Sequence, residues 1–446
     1  MHKIIKLAII YNKEQRKEAT EHKSVKKEMI TRIKINNCFA FNTPIELNLK
    51  ADMRTKRFSS NICTINDLNI IKSAIIYGPN NTGKTAFISS IKAIKATLLN
   101  ENIYLKSNIF NESNICELGI SFIHNKTNYN YEFKYDDTQK EYLYEKMSKA
   151  IFEQSGKESE DIIFEKDTIN KIYKCKSDEK FQNALEIISK DNIAIYTLAS
   201  DNFEILKQIK EILITIAKNI EIVDMNDIPN KKTIELLKLN DDRTKKVVEF
   251  IKNADLYLEN YRYEENPKLD IKMDTERIDA KTLKNQNIVE QAKLVSVYKG
   301  KAVSSIQFDS VGTRKFASLA SYIIESLEEG KTLFVDELDS SLHFKITRAI
   351  ISMFNSDINP NAQLIATLHD TSLLDCKKMF RKEQIWFTDK DENETVMYSL
   401  KDFSYDTTGV RETTDIQDRY SKGAFGAIPE PDLISCLLEV EDIEEH

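Results

Sequence analysis

Gly78-Pro79-Asn80-Asn81-Thr82-Gly83-Lys84-Thr85 forms a G-x-x-x-x-G-K-T loop between an apolar run, Ser73-Ala74-Ile75-Ile76-Tyr77, and a helix-like stretch from Lys84 to Leu99. Few folds accommodate such a strand, loop and helix. Gly78 and Gly83 let the backbone turn tightly and approach a ligand closely, so peptide N–H groups point into the loop. The helix start adds its positive dipole end, Lys84 supplies a mobile cation for β- and γ-phosphates, and Thr85 offers a hydroxyl to Mg²⁺. The spacing predicts a nucleoside triphosphate cradled by residues 78–85, including Pro79, Asn80, Asn81 and Thr82, on an α/β fold.

With 446 residues, 41% of them hydrophobic, the chain can bury a sizeable core as two or three domains or as one domain with a large insertion. The net charge of −7 gives no global basic field for nucleic acid, although a local basic groove is compatible with that sum. Cys38, Cys63, Cys116, Cys175, Cys376 and Cys436 are scattered without a C-x-x-C, which argues against a disulfide framework or zinc site and fits a reducing cytoplasm. No apolar run approaches the roughly 18 residues that span a membrane, and Leu7-Ala8-Ile9-Ile10-Tyr11 is too short for a secretory core.

Residues 1–28 read as a solvated N-terminal extension, because strand-like alternation begins only at Met29-Ile30-Thr31-Arg32-Ile33-Lys34-Ile35; Met29 is an alternative start. The stretch 29–150 is expected to form an N-terminal lobe with the phosphate loop and antiparallel strands. In it Phe87, Ile88, Ile91, Ile94 and Leu98 place an apolar stripe on the first helix. Tyr129, Tyr131, Phe133 and Tyr135 alternate at strand spacing, which suits a packed sheet face and also a base-stacking stripe. The stretch 151–300 reads as a helical insertion, with Asp201-Asn202 capping a helix of Phe203, Leu206, Ile209, Leu213, Ile216 and Ile220. Residues 301–446 return to alternating helix and strand and end in an acidic segment from Glu430.

Thr332-Leu333-Phe334-Val335-Asp336-Glu337 is an apolar strand ending in two carboxylates, at the edge where α/β sheets bind ligands. Asp336 is suited to hold Mg²⁺, and Glu337, one residue farther, to take a proton from an attacking water. A second apolar strand, Gln363-Leu364-Ile365-Ala366-Thr367, leads to His369, a residue for the γ-phosphate or attacking water if it is not purely structural. Before the Asp336 strand, Ser310 can cap a helix running to Glu329, and Gly312 lets a phosphate approach its positive end.

This order of motifs resembles the ATPase head of the ATP-binding-cassette (ABC) superfamily, in the soluble branch of structural-maintenance-of-chromosomes (SMC) and recombination-repair ATPases. It is most similar there to bacterial stand-alone AAA-type ATPases of phage-defence and abortive-infection systems. The resemblance covers Met29 to Pro429 and includes the closing Tyr420-Ser421-Lys422-Gly423-Ala424-Phe425-Gly426-Ala427-Ile428-Pro429. It implies a P-loop NTPase fold of ABC-ATPase head type with an antiparallel β subdomain, binding ATP and Mg²⁺. Catalytic roles fall to Glu337, His369 and Lys84, metal roles to Thr85 and Asp336, and nucleotide contacts to Ser310, Gly312 and Asp339. It also implies a homodimer or higher homo-oligomer, in which Ser310 and Gly312 of one head cover the triphosphate on Lys84 of the other. The signature departs from L-S-G-G-Q, with Asp309 for leucine, Val311 for the first glycine and Thr313 for glutamine. The glutamine loop is not assigned beyond Gln139 in a hairpin turn.

Two functions are expected from these residues. The first is a cytoplasmic ATPase, active without a membrane, that is the sensor or motor of an anti-phage module with a separate nuclease or toxin effector. The alternative is a repair ATPase holding DNA through its heads and a short helical arm.

Overall fold

The computed structural model describes residues 28–152, 158–176, 179–188, 190–199, 204–228, 230–254, 257–271, 286–374, 379–391, 394–403 and 414–429. Residues 1–27 of the expected extension, the Asp201-Asn202 cap, Cys376, Cys436 and the acidic C-terminal segment lie outside the described residues. From the N-terminal side the chain forms β1 (Met29–Asn36), β2 (Ile45–Asn48), β3 (Ile62–Ile65), β4 (Leu68–Ile71) and β5 (Ser73–Tyr77). Next come α1 (Lys84–Leu99), β6 (Ile115–His124), β7 (Thr127–Asp136), β8 (Glu141–Phe152), β9 (Glu158–Asp167) and β10 (Ile172–Cys175). The middle holds α2 (Glu204–Asn219), β11 (Ile220–Asp224), α3 (Lys231–Leu239), α4 (Asp242–Lys252), β12 (Asn260–Tyr263), β13 (Leu294–Tyr298) and β14 (Lys301–Ser304). The last part holds α5 (Val311–Glu329), β15 (Thr332–Asp336), α6 (Phe344–Phe354), β16 (Gln363–Thr367), β17 (Ile385–Asp391) and β18 (Glu394–Ser399).

Two sheets dominate. One has seven strands in the order β10-β9-β8-β7-β6-β1-β2 and is antiparallel throughout. The other has six in the order β11-β15-β16-β5-β17-β18, parallel except for its last pair. Strands β5, β15 and β16 are buried at every position, as strands covered on both faces must be.

Side-chain alternation along these strands divides the core. Ala74, Ile76, Phe334 and Ile365 face a cluster shared with α1, α2 and the antiparallel sheet. Ile75, Tyr77, Leu333, Val335, Leu364 and Ala366 face a second cluster built with α3, α4, α5 and α6. The apolar stripe of α1 is wholly buried in the first cluster. Tyr129, Tyr131, Phe133 and Tyr135 are buried there too, so this stripe is a packed sheet face and offers no ring for base stacking.

Gln363 joins the layers: its amide accepts from Ile30 N–H at 2.7 Å and donates to Ile30 O at 3.0 Å, tying β1 to the foot of β16. The expected helical insertion at 151–300 differs from what is observed. Besides α2, α3 and α4 it contributes β9 and β10 to the antiparallel sheet, β11 to the edge of the central sheet, and β12 and β13 to a small three-stranded sheet. The physical reason is in its sequence: Ile220-Glu221-Ile222-Val223-Asp224 pairs residue for residue with Thr332–Asp336 and shields the flank of that buried strand.

Candidate active site

The loop between β5 and α1 closes on itself. Gly83 has φ +93 and Asn81 φ +63, both left-handed, and a side chain at Gly78 would run into Thr388 of β17, whose carbonyl oxygen lies 2.3 Å from the Cβ position. Thr82 Oγ1 lies 2.9 Å from Thr388 Oγ1 and donates to Pro79 O at 2.8 Å, so β17 braces the turn. Lys84 is buried, and its Nζ donates to Gly78 O at 2.6 Å and Pro79 O at 2.7 Å, which holds the ammonium inside the loop. Burial lowers the Lys84 pKa, opposed by the carboxylates of Glu337, Asp336 and Asp339. The phosphate loop and the distant carboxylates thus share one site. Thr85 follows at the exposed first turn of α1.

Strand β16 lies between β5 and β15, so the His369 strand is the neighbour of both the phosphate-loop strand and the Asp336 strand. Thr367, its last residue, links the two carboxylate positions. Thr367 Oγ1 donates to Asp336 Oδ1 at 2.7 Å and accepts from Glu337 N–H at 2.7 Å. Glu337 has φ +54, an uncommon angle for a residue with a Cβ, fixed by the Thr367 bond on one side and by Ser340 N–H donating to Glu337 O at 2.8 Å on the other.

The Glu337 carboxylate lies between two partners: Asn226 Nδ2 donates to Oε2 at 2.9 Å, and His369 Nε2 is 3.5 Å from Oε1. Asn226 contributes most to holding its pKa below the usual glutamate range, against burial, with His369 and Lys84 adding to the effect. Asp339 acts through its backbone neighbours, its Oδ2 accepting from His369 N–H at 2.7 Å and Asp370 N–H at 2.5 Å.

Ser310 caps α5, accepting from Thr313 N–H at 3.0 Å. Gly312 has Ser341 O 2.4 Å from where its Cβ would sit, so the first turn of α5 packs directly on the loop after Glu337. The departures from the transporter signature have local causes. Asp309 is buried and accepts from Ser296 and Ser305 hydroxyls at 2.6 Å each and from Tyr298 OH at 2.7 Å, while Thr313 Oγ1 lies 2.9 Å from Ser310 Oγ. Gln139 sits in the β7–β8 turn, where its N–H donates to Asp136 Oδ1 at 2.9 Å.

Among the described residues no group of three or more His, Cys, Asp or Glu could hold a metal by itself. The oxygen donors offered are Thr85 and Asp336, a buried residue whose Oδ1 is held by Thr367. So sparse a set of hard oxygens fits Mg²⁺ that brings its remaining ligands as water and substrate phosphates.

Thr367, Asn226 and Thr388 were not anticipated as site residues. Thr367 could have been found as the polar end of a buried strand, and Asn226 only by reading β11 as a strand. We expect Thr367→Val to leave Glu337 N–H and Asp336 without their shared partner, costing about 1–3 kcal/mol of stability. It should also slow ATP turnover, on the order of tenfold, because both carboxylates lose their fixed position. Urea unfolding and steady-state turnover check this; wild-type values in both would show that Thr367 fixes neither.

The glycine-rich loop opening a helix and the parallel sheet with Asp336 at a strand end define a P-loop ATPase domain, with an antiparallel sheet adjoining it. The chain belongs to the family described as "AAA domain, putative AbiEii toxin, Type IV TA system", which matches residues 73–375. No curated protein matches it significantly. Among solved structures it is similar to the SMC head domain from Thermotoga maritima, with 11% identity and a TM-score of 0.39, covering 83% of this chain and 98% of that one. It is also similar to an Smc head bound to the C-winged helix domain of ScpA, with 11% identity, 83% and 97% coverage and a TM-score of 0.35. A third is an Smc head with an extended coiled coil bound to the C-terminal domain of ScpA derived from Pyrococcus furiosus, with 10% identity, 83% and 96% coverage and a TM-score of 0.38. No helix among the described residues is long and apolar enough to cross a membrane.

Proposed function

We propose that the protein hydrolyses ATP with Mg²⁺ and that ATP draws two copies together head to tail, making it the nucleotide-driven sensor or motor of a bacterial anti-phage system with a separate effector. The observation that carries the enzymatic part is the placing of Asp336 and Glu337 at the end of β15, with Thr367 of the intervening strand β16 bonded to both and β16 paired directly to the phosphate-loop strand β5. Lys84 and the loop N–H groups bind and orient the β- and γ-phosphates. Glu337, held as a carboxylate, accepts the proton of the attacking water, and His369 lies close enough to orient that water or the γ-phosphate. Thr85 and Asp336 would hold Mg²⁺, which would supply positive charge to the phosphate oxygens when bound.

The dimer part is supported by what surrounds the α5 N-terminus. Ser310 is exposed there, and the large apolar residues Phe308, Val311 and Phe344 are exposed beside it and after the 338–343 loop. Apolar side chains around a phosphate-accepting helix start suit a face that a second copy covers. The defence role rests on membership of the abortive-infection-type family.

Purified protein should release phosphate from ATP with Mg²⁺ present and stop when the metal is chelated, with GTP the poorer substrate. Phosphate release that persists undiminished in excess EDTA contradicts the metal assignment. Normal ATP binding with no hydrolysis, and none restored by copurifying partners, contradicts the enzymatic reading.

A further inference from the structure

Glu337 is connected to the signature helix of its own chain by a line of hydrogen bonds. Lys315 Nζ, in the second turn of α5, donates to Ser340 Oγ at 3.0 Å. Ser340 Oγ donates to Asn226 Oδ1 at 3.4 Å, and Asn226 Nδ2 donates to Glu337 Oε2 at 2.9 Å. The two ends are held differently. Asn226 is anchored to the sheet, since its N–H donates to Asp224 Oδ1 at 2.8 Å and Met225 N–H donates to Asp336 O at 3.1 Å. The 337–341 segment instead carries two left-handed residues, Glu337 at φ +54 and Ser341 at φ +63, and touches α5 again where Ser341 O fills the space beside Gly312.

We infer that Asn226 is a positioning residue that orients the Glu337 carboxylate and, through Ser340 and Lys315, makes that orientation depend on what the α5 N-terminus of the same chain contacts. The inference rests on the proposed role of Glu337 as base. An asparagine amide serves both directions at once, donating to the carboxylate and accepting from the hydroxyl. An aspartate of the same size could still accept from Ser340 but would set like charge against Glu337. Lys315 lies one turn past the positive N-terminal end of α5, on the same helix as Ser310. Any anion arriving at Ser310 therefore acts on the Lys315 ammonium, and a change in its bond to Ser340 reaches Glu337 through only two further bonds. In the proposed dimer that anion is the triphosphate held by the other copy, so engagement of one head would adjust the base of the same head.

Steady-state turnover of the full chain tests this with Asn226→Ala, Asn226→Asp, Ser340→Ala and the Asn226→Ala/Ser340→Ala double variant. Both Asn226 variants should lose kcat on the order of tenfold with KM for ATP changed by less than about twofold. Ser340→Ala should lose about threefold, and the double variant should be no slower than Asn226→Ala, because the path is already cut. An Asn226→Asp enzyme with wild-type kcat, or losses that multiply in the double variant, would overturn the relay; a residue that only fills space would tolerate the isosteric aspartate. Glu337→Gln measured alongside separates the two ideas. Unmodified hydrolysis there removes the role of Glu337 itself, whereas a dead Glu337→Gln beside fully active Asn226 variants removes only the relay.

Discussion

Glu337→Gln should retain ATP and hydrolyse it on the order of 10²- to 10⁴-fold more slowly. The substitution keeps the size of the side chain and the backbone bonds that fix it, namely Glu337 N–H to Thr367 Oγ1 and Ser340 N–H to Glu337 O. It removes the carboxylate proposed to take the proton. The neighbouring carboxylates are engaged elsewhere, Asp336 with Thr367 and Asp339 with the backbone of His369 and Asp370, and Asn226 has no basic atom. Binding should be spared because the proposed phosphate contacts come from the 78–85 loop, whose hydrogen bonds do not involve Glu337. Single-turnover phosphate release together with equilibrium ATP binding separates the two effects. Loss of binding in step with loss of turnover would mean that Glu337 shapes the pocket rather than the chemistry.

Lys84→Ala should weaken the protein at the earlier step. The ammonium is buried in the cradle on the Gly78 and Pro79 carbonyls, within the field of three carboxylates. Without it the triphosphate meets those carboxylates unshielded. Removing one such charged donor from an enclosed site costs on the order of 10²- to 10³-fold in kcat/KM. Lys84→Met, which keeps the alkyl stem and likewise lacks the donor, is the companion variant that separates lost packing from lost charge. Both should bind ATP poorly, by calorimetry, while unfolding at near wild-type urea concentration. Wild-type affinity in either would show that the loop amides alone hold the phosphates.

The phosphate loop, the helix after it, the Asp336 strand and the His369 strand were legible because each rests on short-range rules: a glycine pair at fixed spacing, a stripe of period 3.6, apolar runs ending in polar residues. Strand β11 was not, although Ile220–Asp224 pairs in full with Thr332–Asp336. It follows directly on the amphipathic helix α2, with Asn219 ending one element and Ile220 starting the next. Periodicity gives little warning where the helical stripe leads straight into a strand. Missing β11 meant missing Asn226, whose importance depends on a partner 111 residues away. Thr367 was read as part of a strand and its hydroxyl overlooked, since only the packing of β16 against β15 turns that hydroxyl between two carboxylate positions. The packing of Gly312 on Ser341 was equally invisible, and it changes how the α5 end should be probed, because any side chain at Gly312 strains the chain before it meets a phosphate.

Ser310 is the cleaner position. Ser310→Asp keeps an N-cap that can accept from Thr313 N–H and adds a negative charge at the exposed start of α5. The decisive measurement is the mass in solution, by light scattering, of Glu337→Gln and of Glu337→Gln/Ser310→Asp, each with and without ATP and Mg²⁺. The expected result is a dimer of the first variant only when ATP is present, and a monomer of the second under both conditions through like-charge repulsion with the incoming triphosphate. A mass that ignores ATP, or an ATP-dependent dimer that survives Ser310→Asp, would contradict the shared nucleotide site.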